Sequence, residues 1–175
     1  MEPEPLRYAE FPSPVGRLWI AATAHGLAAI ELGGSEADVV ASWLRRFRRD
    51  VRRDDAAVQP YVAALEAYFA GARTKFHVPI DVLVGTPFQR KVWDALASIP
   101  YGETRSYKWL AGQVGQARGF RAVGLANGAN PLPIVIPCHR VVNADGRLGG
   151  YGGGLDMKRA LLRLEGALPS PDRGP

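Results

Sequence analysis

The sequence predicts an α+β fold in which a small sheet-plus-helix domain precedes a mostly helical domain. The first half contains two apolar runs around a turn signal and then two helical patterns, whereas the patterns beyond Gly85 are almost all helical. A length of 175 residues suits one large domain or two small ones sharing an interface. We expect domains at residues 1–84 and 85–167, followed by a disordered tail at residues 168–175.

The composition excludes several classes of protein. Hydrophobic residues make up 47% of the chain, which argues against disorder. A single cysteine excludes an internal disulfide framework and a multi-cysteine zinc site. The N-terminal segment does not resemble a signal peptide, and no apolar run reaches membrane-spanning length. With a free thiol that suits a reducing compartment, these features predict a cytoplasmic protein without a membrane partner.

The net charge of +5 and the sequence pI of about 9.7 are compatible with a polyanionic partner. They do not identify one, because arginine-rich proteins of this size need not bind nucleic acid. The arginine run at residues 45–53 is better explained as a solvated helix end whose cations oppose the helix macrodipole.

The first half predicts a hairpin and two helices. Residues 13–32 form the hairpin, with its turn at His25-Gly26. Ser35 can cap a helix over residues 36–48, and a second helix at residues 59–70 ends at Gly71. The buried face of the first helix is expected to carry Val39, Val40, Trp43, Leu44 and Phe47. An extended strand, Phe76 to Leu83, is then expected, interrupted by Pro79.

The second half begins with a strong helix signal. Thr86, Pro87 and Gln89 form a capping box with proline at the first helical position, and the helix ends before Pro100. Ser106 can cap another helix through about Val114. A glycine-containing turn leads to a further helix at residues 120–127, and this pair matches the helix-turn-helix pattern.

The second helix of this pair is rich in alanine and glycine, reading AVGLANGAN after Arg121. Glycine costs up to about 1 kcal/mol relative to alanine inside a helix, so repeated glycine needs a reason. Close packing of helices is one explanation. The other is close approach to an outside surface such as the DNA minor groove, with Arg121 as a polar probe.

Two loops and a last helix follow. Asn143 to Gly146 is a strong turn signal, and Tyr151 to Gly154 is a flexible glycine-rich loop. Asp156 can cap the last helix, from Met157 to Glu165.

The segment PLPIVIPCHRVV, from Pro131 to Val142, carries the strongest chemical signal. Its prolines forbid a helix and favour a short, buried, extended segment that presents Cys138. A lone cysteine is usually a small hydrophobic residue. Here His139 and Arg140 follow directly and would favour the thiolate, so we interpret Cys138 as a nucleophile.

A Cys–His–carboxylate relay is the corresponding hypothesis. Adjacent residues of an extended segment point to opposite sides, so a water molecule would have to join Cys138 and His139. Glu165, Asp156 and Asp145 are the candidate acids, and the residues do not choose among them. Glu165 is expected near a helix C-terminus, where the macrodipole disfavours an anion. A functional role for Glu165 would explain this unfavourable position.

Residues 86–166 closely resemble the O6-alkylguanine-DNA alkyltransferases, also known as methylated-DNA–protein-cysteine methyltransferases. The resemblance is carried, in collinear order, by TPFQRKVW, IPYGETRSY, RAVGLANGANP, IPCHRV and MKRALLRLEG. The first half is similar to the variable N-terminal domain of the family, though more loosely.

The resemblance implies a direct displacement at Cys138. The sulfur would attack the alkyl carbon on guanine O6 and stay alkylated, so each molecule would act once. His139 would act as the base through a water molecule, with Glu165 orienting it. Asn130 would brace the active-site turn.

The same resemblance implies residues that handle the purine and the DNA. Tyr107 and Lys158 would assist the guanine leaving group, Tyr107 also serving strand rotation at the flipped nucleotide. The backbone carbonyls of Cys138 and Val141 would bind the guanine amino group, and Arg121 would fill the vacated space in the stack. The remaining expected contacts to the base or the DNA are Tyr151, Gly152, Gly153, Ser106, Ala122 and Ala129.

The family also implies a ribonuclease-H-like first domain and a winged-helix-like second domain that binds double-stranded DNA through the minor groove as a monomer. Its substrates would be O6-alkylguanine and O4-alkylthymine, flipped out of the duplex because a stacked base cannot reach a buried sulfur.

No cofactor is implied. Some relatives hold zinc in the first domain, but this chain has no cysteine there, so no metal is expected. Gly152 stands where some relatives carry serine, which removes a hydroxyl donor.

Two other functions stay open. One is a non-catalytic sensor that binds alkyl lesions in DNA. The other is a cysteine hydrolase, which is less favoured because no oxyanion site is evident in the sequence.

Overall fold

The computed structural model describes residues 1–72 and 74–168 of the chain. They fall into two compact units, the first ending at Val84 and the second beginning at Gly85. The first unit combines a sheet with helices and the second is mostly helical, so the predicted α+β class is confirmed. Within these residues no helix is long and apolar enough to cross a membrane. The expected tail lies outside the described residues from Pro169 onward.

The first unit is built on a four-stranded sheet in the order β3-β2-β1-β4. Strands β1 (Leu6–Ser13), β2 (Gly16–Ala22) and β3 (Leu27–Leu32) pair antiparallel in sequence, and β4 (Val51–Arg53) pairs parallel with β1. The β2–β3 pair is the predicted hairpin. Strands β1 and β4 were not predicted, because both carry charged residues and β4 is a three-residue strand inside the arginine run.

Each face of the sheet is covered by one helix. Helix α1 (Glu36–Phe47) begins after its cap Ser35, as predicted, and helix α2 (Asp55–Phe69) packs against β1 and β2. Side chains on one face of the sheet form a core cluster with α1, which comprises Leu6, Tyr8, Trp19, Ala21, Ala28, Ala29, Val39, Trp43 and Phe47. On the other face, the rings of Phe11 and Phe69 lie 6.0 Å apart. Leu44, expected in the core, is 45% exposed.

Two further expectations for the first unit are wrong. Helix α2 begins four residues early, since Asp54 caps it by accepting a hydrogen bond from the Ala57 amide at 3.1 Å, and Pro60 is accommodated inside the helix. The expected strand at residues 76–83 is an isolated bridge between Leu27 and Ile80. Pro79 contributes only its carbonyl there, accepting from the Leu27 amide at 2.9 Å, because proline has no backbone donor.

The second unit contains the predicted helix-turn-helix pair. Helix α3 (Pro87–Ala97) has the full capping box of Thr86 and Gln89, and Ser106 caps helix α4 (Tyr107–Gln113). Helix α5 (Phe120–Gly128) follows the turn and is fixed to α3 by a buried 2.8 Å hydrogen bond from Trp93 Nε1 to the Ala126 carbonyl.

The last helix, α6 (Leu155–Leu164), follows Gly154 without a side-chain cap. The prediction that Asp156 caps this helix is therefore wrong. Asp156 lies in the first turn, fully exposed, where it forms a 3.0 Å ion pair with Arg159.

The segment that carries the cysteine is folded, not extended. Pro133 and Ile136 form an isolated bridge across a tight turn, and Cys138 to Arg140 form a 3₁₀ turn. The chain then enters strand β6 (Val141–Val142), which pairs parallel with β5 (Arg105–Ser106). The prolines exclude an α-helix, as expected, but they are compatible with these tighter turns.

Candidate active site

The side chain of Asn130 shapes the turn that presents Cys138. Its Nδ2 donates to the Ile136 carbonyl at 2.7 Å, and its Oδ1 accepts from the Leu132 amide at 2.9 Å. Inside this turn Ile134 adopts a φ of 76°, a conformation that costs a β-branched residue about 1–3 kcal/mol. Backbone strain of this kind persists where the surroundings enforce it, and here Asn130 supplies two of the enforcing hydrogen bonds.

A buried imidazole follows the cysteine directly. In the 3₁₀ turn, successive side chains lie about a third of a turn apart, so Cys138 and His139 are not on opposite sides as expected. His139 Nε2 lies 2.8 Å from Glu165 Oε1, and both side chains have 0% exposure. Of the three acids that the sequence left open, Glu165 is the one that meets the imidazole. Asp156 is exposed, and Asp145 lies beside Arg147.

Arg140 holds the same carboxylate from its other side. Its Nε donates to Glu165 Oε2 at 2.8 Å, its Nη2 donates to Oε1 at 2.9 Å, and its Nη1 donates to the Ile99 carbonyl at 2.7 Å. A buried guanidinium keeps the carboxylate ionised, so the carboxylate can only accept hydrogen bonds. The proton between Glu165 and His139 must therefore sit on His139 Nε2.

This arrangement leaves His139 Nδ1 as a basic nitrogen. The atom is buried and has no hydrogen-bond partner among the described residues. Burial lowers the pKa of His139, although the neighbouring Glu165 opposes the shift. The imidazole is therefore neutral at neutral pH and carries a lone pair on Nδ1.

The thiol of Cys138 is not ionised by its neighbours. Burial raises the pKa of Cys138, while hydrogen bonding from Asn130 and the charge of Lys158 act in the opposite direction. The expectation that His139 and Arg140 would favour the thiolate is wrong, because the imidazole is neutral and the guanidinium is engaged by Glu165 and Ile99. A protonated thiol needs a base to become a nucleophile.

Lys158 lies inside the site and ties the following loop to it. Its ammonium group donates to three backbone carbonyls, those of Val141 at 2.7 Å, Leu148 at 2.5 Å and Gly150 at 3.1 Å. An ammonium group has three donors, so these carbonyls account for all of them. Burial lowers the pKa of Lys158 to about 8, and the nearby Cys138 opposes that shift.

Two tyrosines complete the surroundings of the sulfur. Burial raises the pKa of Tyr107, as does the proximity of Cys138, whereas a hydrogen bond from the Asn127 side chain lowers it. Burial also raises the pKa of Tyr151 well above its ordinary value, with a contribution from Cys138. The Tyr151 hydroxyl is buried without a hydrogen-bond partner in the described part of the chain.

Helix α5 exposes the face that the sequence singled out. Arg121 and Ala122 are exposed, and Leu125, one turn after Arg121, is 68% exposed. A methyl group added at Gly124 or Gly128 would meet no atom within 4 Å. Close packing inside the chain therefore does not explain these glycines, and the alternative, approach to an outside surface, stands.

A cavity of about 680 Å³ lies beside the site. Its walls come from α4, from α5 and from the loop after β6, and they comprise Tyr107, Lys108, Phe120, Gly124, Asn143, Ala144, Asp145 and Gly150. Tyr107 belongs both to the wall of this cavity and to the surroundings of Cys138. Gly149 lies against Tyr107, since a Cβ there would come within 3.2 Å of the tyrosine ring.

The structure thus brings together seven of the predicted site residues, namely Cys138, His139, Glu165, Asn130, Tyr107, Lys158 and Tyr151. Val141 is joined to them through Lys158. Gly152 and Gly153 lie in the loop before α6, and Ser106 and Ala129 lie at ends of α4 and α5. Residues 1–72 and 74–168 include no group of three or more His, Cys, Asp or Glu side chains placed to hold a metal.

Sequence reasoning missed three residues of the site. Arg140 was expected to act on the Cys138 thiol, but it pairs with Glu165, which lies 25 positions away in the chain. It did not single out Asn127 or Phe120, which the structure places at Tyr107 and in the cavity wall. The one signal available in the sequence was that Phe120, an aromatic residue, directly precedes Arg121, the predicted polar probe.

Two family models match the chain. The model described as 6-O-methylguanine DNA methyltransferase, DNA binding domain, matches residues 87–167. The model described as 6-O-methylguanine DNA methyltransferase, ribonuclease-like domain, matches residues 6–82.

Individual relatives agree with these models. A methylated-DNA–protein-cysteine methyltransferase of Mycobacterium tuberculosis is 48% identical over 91% of this chain and 92% of its own length. One from Methanosarcina acetivorans is 44% identical over 93% of this chain and 99% of its own length.

Solved structures give the same result. A crystal structure of Mycobacterium tuberculosis O6-methylguanine methyltransferase matches with a TM-score of 0.80 and 43% identity, covering 95% of this chain and 96% of that one. A crystal structure of Mycobacterium tuberculosis OGT in complex with DNA has a TM-score of 0.78 and 44% identity, covering 93% and 92%. The resemblance drawn from the motifs is confirmed: the chain belongs to the methylated-DNA–protein-cysteine methyltransferase family.

Proposed function

We propose that this protein repairs DNA by transferring an alkyl group from O6 of guanine to the sulfur of Cys138. The observation that carries the proposal is a buried thiol directly followed in the chain by a buried imidazole whose Nε2 contacts Glu165 and whose Nδ1 has no partner among the described residues. A thiol with an adjacent base can act as an activated nucleophile. Family membership directs that nucleophile to alkylated DNA, the substrate that the relatives' names state.

The first step is removal of the thiol proton. His139 Nδ1 accepts it through a bridging water molecule, and the resulting imidazolium is stabilised by Glu165 through the Nε2 hydrogen bond. Arg140 acts on this step as a positioning residue, because it fixes the carboxylate that fixes the imidazole.

The second step is a displacement at the alkyl carbon. The sulfur–carbon bond forms while the bond between carbon and O6 breaks, and the electron pair of that bond passes to the purine. The purine takes up one proton, which balances the proton that His139 removed from the thiol, and becomes guanine. Tyr107, near Cys138, donates a hydrogen bond to the purine. Lys158 acts through the Val141 carbonyl, which it holds in position to accept from the guanine amino group.

The thioether that forms has no route to hydrolysis in this site, so each molecule acts once. The lesions are O6-alkylguanine and O4-alkylthymine in double-stranded DNA. We also infer that the protein works as a monomer in the cytoplasm, where reducing conditions keep its single cysteine free.

Contact with DNA is assigned to the exposed face of α5. The small side chains and glycines let the helix approach the minor groove closely, and Arg121 enters the stack where the nucleotide leaves it. Flipping costs a few kcal/mol, which contacts of this kind offset. The loop at Tyr151, Gly152 and Gly153 closes over the base, and the ends of α4 and α5 at Ser106, Ala122 and Ala129 contact the DNA.

Transfer of a labelled methyl group tests the proposal. Protein incubated with DNA that carries methyl-labelled O6-methylguanine is expected to retain one label per molecule, on Cys138, and Cys138→Ala is expected to retain none. Mass spectrometry of the tryptic peptides locates the label. Reversible binding without label would instead indicate a lesion sensor, and turnover of acyl esters would indicate a hydrolase. Stoichiometric label on Cys138→Ala would contradict the nucleophile assignment.

The pH dependence tests the base. With free O6-benzylguanine the rate constant is expected to stay within about twofold between about pH 6.5 and about pH 7.5, because His139, whose pKa is lowered, is already neutral there. Below this range the rate falls as His139 takes up a proton.

Acid also destabilises the fold through the same residue. The unfolded chain binds this proton at the ordinary histidine pKa of about 6.5, so the stability contributed by His139 is present above that pH and is lost on acidification. Circular dichroism at each pH separates the two effects. A rate that rises about tenfold per pH unit across the neutral range would show a thiolate ionised without the base, against the proposed role.

Replacement of Gly124 by alanine separates stability from DNA binding. Gly124→Ala is expected to raise the free energy of unfolding by about 0.5–1 kcal/mol, because alanine is the better helix former and its methyl group meets no neighbour. Affinity for duplex DNA, measured by fluorescence anisotropy, is expected to fall, because the methyl group occupies the side of α5 that meets the groove. Gly112→Ala in α4, where the space is also open, is the matched control and should stabilise without weakening binding. If Gly124→Ala kept the native affinity for DNA, Gly124 would not lie at the DNA interface.

A further inference from the structure

Phe120, the first residue of α5, is a large aromatic side chain that is 47% exposed. A single exposed apolar residue needs no explanation by itself. Phe120 differs from such residues because it also lines the 680 Å³ cavity together with Tyr107. Leu125 is more exposed than Phe120 on the same helix and is not among the lining residues.

The cavity has the size and position of a ligand site. Its volume falls in the range of about 300–1,000 Å³ that is typical of small-molecule pockets. Tyr107 lines the cavity and lies near Cys138, which contributes to the raised pKa of Tyr107. A nucleotide whose base reaches Cys138 past Tyr107 therefore has its sugar in this cavity.

Two glycines line the cavity together with Phe120. Gly124 lies one helical turn after Phe120, and Gly150 lines the cavity from the loop. A Cβ at either glycine would meet no atom within 4 Å, so neither glycine is required by packing inside the chain. The ring is thus accessible from the cavity.

The charges at the cavity suit a phosphodiester-linked ligand. Lys108 lines it and is exposed. The carboxylate at the cavity, Asp145, lies 3.7 Å from Arg147, which offsets its negative charge. An aromatic ring next to a cation is the combination with which proteins bind extrahelical and single-stranded nucleotides.

We propose that Phe120 holds the flipped nucleotide outside the helix by packing its ring against the deoxyribose. This inference rests on the proposed function and adds to it a residue that binds the nucleotide. The role differs from that of Arg121, which fills a gap that exists only in duplex DNA. Phe120 contacts the nucleotide itself, so it acts on single-stranded and duplex DNA alike, and it has nothing to hold in a free purine.

Three substrates distinguish these roles: a duplex with O6-methylguanine, the same strand alone, and free O6-benzylguanine. Phe120→Ala is expected to lower the alkyl-transfer rate constant about tenfold on both DNA substrates, because the contact between the ring and the deoxyribose is lost. The rate on O6-benzylguanine should stay within about twofold of the native protein. Phe120→Tyr keeps the ring and should restore the rates on DNA. Arg121→Ala should be slow on the duplex only.

Leu44→Ala in α1, where the leucine is 45% exposed, is the control for loss of exposed apolar surface and should keep the native rates on both DNA substrates. Native rates for Phe120→Ala on both DNA substrates, a defect on the duplex alone, or an equal loss on O6-benzylguanine would each overturn the inference. The same holds if Leu44→Ala matches the single-strand defect. If the native protein takes no alkyl group from any substrate, the proposed function itself fails, and that result is distinct from all of these.

Discussion

One buried carboxylate determines the geometry of the active site. Glu165 accepts from His139 on one side and from Arg140 on the other, with almost no solvent exposure at any of the three side chains. Removing one partner of a buried ion pair costs about 3–5 kcal/mol, so the three groups remain together. Because Arg140 also donates to the Ile99 carbonyl, the network joins α6, the 3₁₀ turn and the end of the α3 segment. The basic nitrogen of His139 is a consequence of this arrangement.

The remaining parts of the site keep a reactive sulfur in place without ionising it. Asn130 braces the turn before Cys138, and Lys158 ties the loop after β6 to the Val141 carbonyl. Both are side-chain contacts to backbone, so they fix where the chain runs on either side of the thiol. The sulfur stays protonated in its buried position until a base acts on it.

The sequence predicted local structure well where short-range chemistry decides it. The cap at Ser35, the capping box at Thr86 and the α4–α5 pair were all found from neighbouring residues. It failed at the segment 76–83, where a distant contact with Leu27 decides, and at the start of α2, where it overlooked the local cap at Asp54. The same limit applies in the site. Cysteine and histidine are adjacent in the chain, but the choice of Glu165 and the true partner of Arg140 depend on the packing of α6.

The tautomer of His139 tests the account most directly. Nitrogen-15 NMR of the protein labelled in its histidines reports the protonation of each ring nitrogen, and the exposed His25 and His77 serve as internal references. We expect His139 to be neutral at neutral pH, with its proton on Nε2 and a bare Nδ1. A proton on Nδ1, or a fully protonated ring, would contradict the account, because no nitrogen would then be free to accept the proton of Cys138.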